Sequence, residues 1–114
     1  MAIITVGTIP ATRFIKKAGI KVDNKDYVTV DKHMKTNIDN IYAIGDIAKV
    51  ESMYENIYVT PAVAPPSKRQ ARVVGDNILG IDSVYSGTTN TSILSVFRIS
   101  SCKNRTFWKE TWRT

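Results

Sequence analysis

The sequence predicts a small α/β unit, and three observations carry that prediction. An apolar run at residues 41–44 is bounded by turn formers and stops on Gly45 and Asp46, which reads as a short buried strand. Residues 20–22 and 27–30 alternate around the polar turn Asp23-Asn24-Lys25-Asp26, a β-hairpin pattern. Residues 61–80 have helical spacing, with Pro65 and Pro66 in the first turn and Gly80 as a stop.

Taken in order, Ile3-Ile4-Thr5-Val6 is β-branched and ends at Gly7, so it reads as a strand entering a loop that Pro10 closes. Thr12 is placed to cap a two-turn helix carrying Phe14, Ile15 and Ala18. Lys16 and Lys17 suit its last turn, and Gly19 suits C′. A helix this short cannot stand alone, so Phe14 and Ile15 are expected to pack on something. After the hairpin, residues 31–35 read as a polar connection. His33 has no Cys, Glu or Asp at ligand spacing and reads as a solvated loop imidazole.

Residues 47–60 show no period and are expected to form a surface excursion. In the long helix, Gln70, Val74 and Ile78 share one face with Ala71 beside them, and Arg72 and Asp76 form an i,i+4 pair. Lys68, Arg69 and Arg72 could cluster around a phosphate, but a solvated face is the favoured reading. Residues 81–90 are turn-rich, and alternation resumes from Ser92 to predict another strand. The end of the chain holds both tryptophans and no steady period.

Asp46 is the candidate functional residue. At the mouth of a strand in an open α/β sheet, a carboxylate can hold ligand hydroxyls through charge-assisted hydrogen bonds. On spacing alone the favoured reading is a loop aspartate that caps the next turn.

Charge and composition exclude several classes. The 114 residues carry a formal net charge of +6. Residues 1–97 hold 11 Lys and Arg against 9 Asp and Glu, so most of the basic excess belongs to residues 98–114. A nucleic-acid interface over the main body is therefore not expected, although basic residues among Phe107, Trp108 and Trp112 could stack on a single strand. No apolar run reaches a membrane span of about 20 residues, and no basic region precedes an apolar core as in a signal peptide. The one cysteine, Cys102, excludes an internal disulfide. A cytoplasmic chain is expected. No GxGxxG, P-loop or nucleophile elbow is present.

A family resemblance is carried by an ordered series of motifs. These are Val6-Gly7-Thr8-Ile9-Pro10, Phe14-Ile15, Ala18-Gly19-Ile20, Tyr27-Val28-Thr29-Val30-Asp31, Thr36-Asn37 and Ile41-Tyr42-Ala43-Ile44-Gly45-Asp46. Ala62-Val63-Ala64-Pro65, Arg69-Gln70-Ala71-Arg72 and Thr91-Ser92-Ile93-Leu94 continue it. The chain resembles the pyridine-nucleotide-disulfide oxidoreductases, in the branch of NADH oxidase, NADH peroxidase and coenzyme A-disulfide reductase, from about residue 3 to residue 97.

The resemblance implies a flavoenzyme in which NAD(P)H reduces FAD and electrons pass to a redox cysteine, then to oxygen, peroxide or a disulfide. It implies a fragment of an FAD-binding Rossmann-like domain, with a short hairpin, a central strand and one long helix, running into the start of an α+β dimerisation domain. Residues 1–10 would end the NAD-binding domain, 11–80 the FAD-binding domain, and 81–97 would begin dimerisation, followed by an atypical basic aromatic tail at 98–114. Asp46 would bond the FAD ribityl chain. Ala62, Val63 and Ala64 would start a helix aimed at the flavin's pyrimidine edge. Gly7 would leave room for the nicotinamide dinucleotide.

Departures from the family bound these expectations. The glycine-rich FAD turn, the redox cysteine and most of the NAD-binding domain are not in this sequence, and Cys102 matches no redox position. Ala71 and Asp26 stand where relatives usually carry glycine, and the pattern stops at Phe97, as a change of reading frame would produce. Reading the coding DNA in the other frames beyond that codon tests it. The fragment is expected to be inactive alone, with FAD as its partner and the missing N-terminal half or a homodimer mate as protein partners. A non-catalytic module that pairs with a separate chain is the alternative.

Overall fold

The computed structural model of the chain describes residues 2–4, 7, 9–53, 57–89, 91–96 and 99–103. Its elements are α1 (Arg13–Lys17), β1 (Val28–Thr29), a 3-10 turn (Gly45–Ile47), β2 (Ala48–Glu51), β3 (Tyr58–Val59), α2 (Ala64–Ile78), β4 (Ser92–Val96) and β5 (Ile99–Lys103). A three-stranded sheet runs in the order β1-β2-β3, with β1 parallel and β3 antiparallel to β2, and β4 and β5 form a separate antiparallel pair. The small α/β class predicted from the sequence is the one found.

Two turns of one design build the N-terminal half. Asp23 Oδ1 accepts the N–H groups of Lys25 and Tyr27 at 2.8 and 2.9 Å. Eight residues on, Asp31 Oδ1 accepts those of His33 and Lys35 at 2.8 and 2.9 Å. Each aspartate also pairs its own N–H with the carbonyl four residues later. The fourth residue of each turn, Asp26 at φ +70° and Met34 at φ +65°, is left-handed, where a three-residue hairpin loop usually has glycine. The predicted hairpin is present, with Val22 bridging Val28. Met34 belongs to the core and not to a polar connection, since it is fully buried.

The central strand is not where the sequence placed it. Residues 41–44 are extended but form only the bridge of Tyr42 to Lys35, and Ile41 and Ile44 remain more than a third exposed. The sheet's middle strand is β2, within the stretch expected to be a surface excursion. Ala48 and Val50 point inward and Lys49 and Glu51 outward, so four residues with period two suffice. Val59 of β3 and Val28 of β1 flank them in the core.

Other expectations also shift. Ile3 and Ile4 lie outside any strand and are exposed, while Thr5 and Val6 lie outside the described residues. Of the α1 pair, Ile15 is buried and Phe14 is 71% exposed. The hydroxyl of Thr12 does not cap α1 but donates to the Asp26 carbonyl at 2.8 Å. Gly19 does follow the α1 C-cap, at φ +81°. The long helix begins at Ala64, and its buried residues are Gln70 and Val73; Ile78 faces outward. The expected Arg72–Asp76 pair is not among the ion pairs of the described residues. Phe97, Arg98 and the Trp-rich end lie outside the described residues.

Candidate functional site

The site forms where the 3-10 turn meets the start of α2. Gly45 opens the turn at φ +78°, a conformation that favours glycine. A Cβ there would stand 3.7 Å from Ser67 Oγ, an ordinary contact, so the backbone angle and not the space is what calls for glycine. Its N–H donates to Gln70 Oε1 at 2.7 Å. The turn is thus tied to the middle of α2, and Ser67 across from it bonds back to the Val63 carbonyl at 3.4 Å. Asp46 follows, exposed, and no group among the described residues pairs with its carboxylate.

The first turn of α2 has an unusual donor count. A helix leaves its first four N–H groups without internal partners. From the N-cap Val63 these belong to Val63, Ala64, Pro65 and Pro66, and proline has no N–H. The two that remain are those of Val63 and Ala64, and no acceptor among the described residues takes either. They sit at the positive end of a 15-residue helix. Beside them a cleft of about 420 Å³ separates Val63, Pro65, Pro66 and Arg69 from Thr88 and Thr89.

The predicted residues therefore fall into two groups. Asp46, Val63 and Ala64 flank one junction, and Ala62, exposed, precedes it in the chain. Gly7 is left-handed at φ +102°, and a Cβ on it would meet nothing within 4 Å. Its glycine is explained by backbone angle, and the described structure supplies no contact that joins it to the junction.

A second cleft, of about 430 Å³, lies over the hairpin. There Lys49 Nζ lies 2.9 Å from Asp23 Oδ2 and 5.7 Å from the centre of the Tyr58 ring. Burial alone would raise the Asp23 carboxyl, but the Lys49 ammonium and the Tyr27 and Lys25 N–H groups outweigh it and hold it below the usual carboxylate range. These charges are satisfied by each other. His33 is not a free loop imidazole, because its Nδ1 lies 3.2 Å from the Ser83 carbonyl. No group of three or more metal-ligating side chains occurs among the described residues, and no helix there is long and apolar enough to cross a membrane.

Gln70 is the contributor that sequence reasoning missed. The sequence places it on one face of the helix with Val74 and Ile78, and the amide itself is the signal: a glutamine in that stripe needs a partner.

Residues 1–71 match the family described as pyridine nucleotide-disulphide oxidoreductase, more than half of the chain, and the chain belongs to that family. Among relatives, it is 35% identical over 98 residues to a coenzyme A disulfide reductase of Staphylococcus aureus (strain bovine RF122 / ET3-1), covering 85% of this chain and 22% of that protein. The crystal structure of reduced Bacillus anthracis CoADR-RHD superposes with a TM-score of 0.80 at 31% identity, over 86% of this chain and 18% of that one. An FAD-dependent pyridine nucleotide-disulphide oxidoreductase from Desulfovibrio vulgaris gives 0.79 at 25% identity, over 84% and 24%. The family works with FAD and a nicotinamide dinucleotide. The chain spans about a fifth of the length of the relatives it matches.

Proposed function

We propose that this chain is the part of an FAD-dependent NAD(P)H oxidase or disulfide reductase that closes one side of the flavin site. The observation that carries the reading is the pairing of an exposed Asp46 carboxylate with a helix start that keeps two N–H groups, none of them engaged by any group among the described residues. A polyol chain needs an acceptor, and an electron-accepting ring needs donors at its negative edge. The residues present fit both demands.

Bound FAD supplies electron transfer between NAD(P)H and the final acceptor. Asp46 accepts hydrogen bonds from the ribityl hydroxyls, strengthened by its charge. The N–H groups of Val63 and Ala64, at the positive end of α2, would supply donors to a flavin edge that gains negative charge on reduction. Ala62 and Ala64, being small, let the ligand reach the backbone. Gly7 belongs to the loop that enters from the NAD side. Residues 1–10, 11–80 and 81–97 then belong to the NAD-binding, FAD-binding and dimerisation domains.

The test is a titration of the isotopically labelled chain with FAD, followed by NMR. The amides of Asp46, Val63 and Ala64 should shift, with an affinity on the order of millimolar because most of the ligand stays uncovered. No response at these amides refutes the reading.

The second reading, a non-catalytic module completed by a separate chain, draws on exposed apolar side chains at Phe14, Ile78 and Leu79. Co-purification with a chain carrying the N-terminal FAD unit supports it, and a stable monomer without a partner counts against it.

A further inference from the structure

Gln70 is fully buried, one of the largest side chains sealed inside the described structure. Its Oε1 accepts the Gly45 N–H at 2.7 Å, and its Nε2 is buried with no partner among the described residues. Packing alone does not explain this choice. Methionine or leucine would fill similar volume without stranding a donor, and a stranded donor is destabilising. Rotating the amide by half a turn is no remedy, because Nε2 would then face the Gly45 N–H, donor against donor. The unpartnered Nε2 is what remains when the position of Oε1 is the requirement.

That requirement points at the Gly45–Ile47 turn. Gly45 is its first residue, Asp46 its second, and Gln70 stands on the same helix whose first turn presents the Val63 and Ala64 N–H groups. Without the Gln70 carbonyl, the half-buried Gly45 N–H would turn to water and the turn would lose its tie to α2.

We propose that Gln70 is a positioning residue of the flavin site, locking the Asp46 turn to α2 so that carboxylate and helix start are presented to one ligand as a rigid pair. Gln70 touches no ligand and acts through Gly45. The proposal rests on the reading of Asp46 as a flavin ligand.

The experiment compares the whole 114-residue chain with Gln70→Met, which keeps length and loses the acceptor, and Gln70→Glu, which keeps an oxygen in the place of Oε1. Amide exchange is followed at Gly45, at Val73 in α2 and at Val50 in β2, and FAD is titrated into each. In the wild type the Gly45 amide should be protected. Gln70→Met should speed its exchange by about tenfold or more and weaken the FAD response at Asp46 by about fivefold or more, with Val73 and Val50 unchanged. Gln70→Glu should restore Gly45 protection and the response.

A wild-type Gly45 that exchanges like a free peptide overturns the proposal without any variant. So does Gln70→Met with Gly45 still protected, or a loss of protection spread equally over Gly45, Val73 and Val50 in both variants, which is core packing. A wild-type chain in which FAD moves no Asp46 resonance overturns the flavin reading and this proposal with it. Loss of the Gln70→Met effect in a chain that does bind FAD overturns the proposal alone.

Discussion

Asp23 is 12% exposed, with its oxygens taken by the N–H groups of Lys25 and Tyr27 and by the Lys49 ammonium. Asp46 is exposed, and no group among the described residues engages either of its oxygens. The first carboxylate therefore supports the fold and the second is available to a ligand. Because the Asp23 carboxyl is held below its ordinary range in the folded chain, the unfolded chain takes up the proton first as pH falls. Its contribution is present in full above the ordinary carboxylate pKa, about 3.9, and is lost as pH falls through the lower folded value. Thermal midpoints from pH 6 to pH 2.5 should thus fall more steeply for wild type than for Asp23→Asn. Asp46→Asn should change stability by no more than about 0.5 kcal/mol, yet weaken the FAD-induced shifts at Val63 and Ala64. Spacing could not separate these two aspartates, since both follow apolar residues at turns. The motifs on either side of Asp46 are what propose it as a ligand residue, and Asp23 shows its role only through the distant Lys49.

At the level of elements, the hairpin and the long helix were legible because their signals are local: a polar turn between alternating segments, and prolines before a helical stripe. β2 was not, because Ala48 and Val50 are only two inward residues and one of them is small. Residues 41–44 misled in the opposite direction. An apolar run satisfies the pattern of a buried strand, but a strand also needs a ladder, and among the described residues this run pairs only with residues 34–36 around the Tyr42–Lys35 bridge. The paired aspartate turns yield a test of backbone strain. Asp26 is left-handed and joined by an ion pair to Lys16. Asp26→Ala and Asp26→Gly both remove that pair, so their difference isolates the φ +70° conformation. The alanine variant should be less stable than the glycine variant by about 1–2 kcal/mol in denaturant unfolding. Met34 is also left-handed, but its side chain is fully buried. Met34→Ala should therefore lose about 2–5 kcal/mol through the cavity it leaves.

For the molecule as a whole, what matters is how little of a dinucleotide this chain can cover. Tight small-molecule sites bury roughly 70–90% of the ligand. In the proposed site only one turn and one helix start would face the flavin, while the chain spans about a fifth of its relatives' length. The apolar surface says the same thing from the protein's side: Phe14, Ile78 and Leu79 are each more than 65% exposed, which matches faces that a larger protein covers. Substrate choice among oxygen, peroxide and disulfide was illegible in the sequence for this reason, since the residues expected to decide it lie outside the matched segment. NADH mixed with the purified chain and excess FAD should accordingly show no loss of absorbance above the rate with free FAD. Co-expression with a chain carrying a glycine-rich FAD turn and a redox cysteine should yield a complex that retains flavin through gel filtration. Asp46→Asn in that complex should lower flavin retention without dissociating the two chains, because the proposed site assigns the carboxylate to the ligand and the exposed apolar residues to the partner. Turnover by this chain alone, with bound flavin in its spectrum, would show that one turn and one helix start suffice and would remove the basis for the partial-site reading.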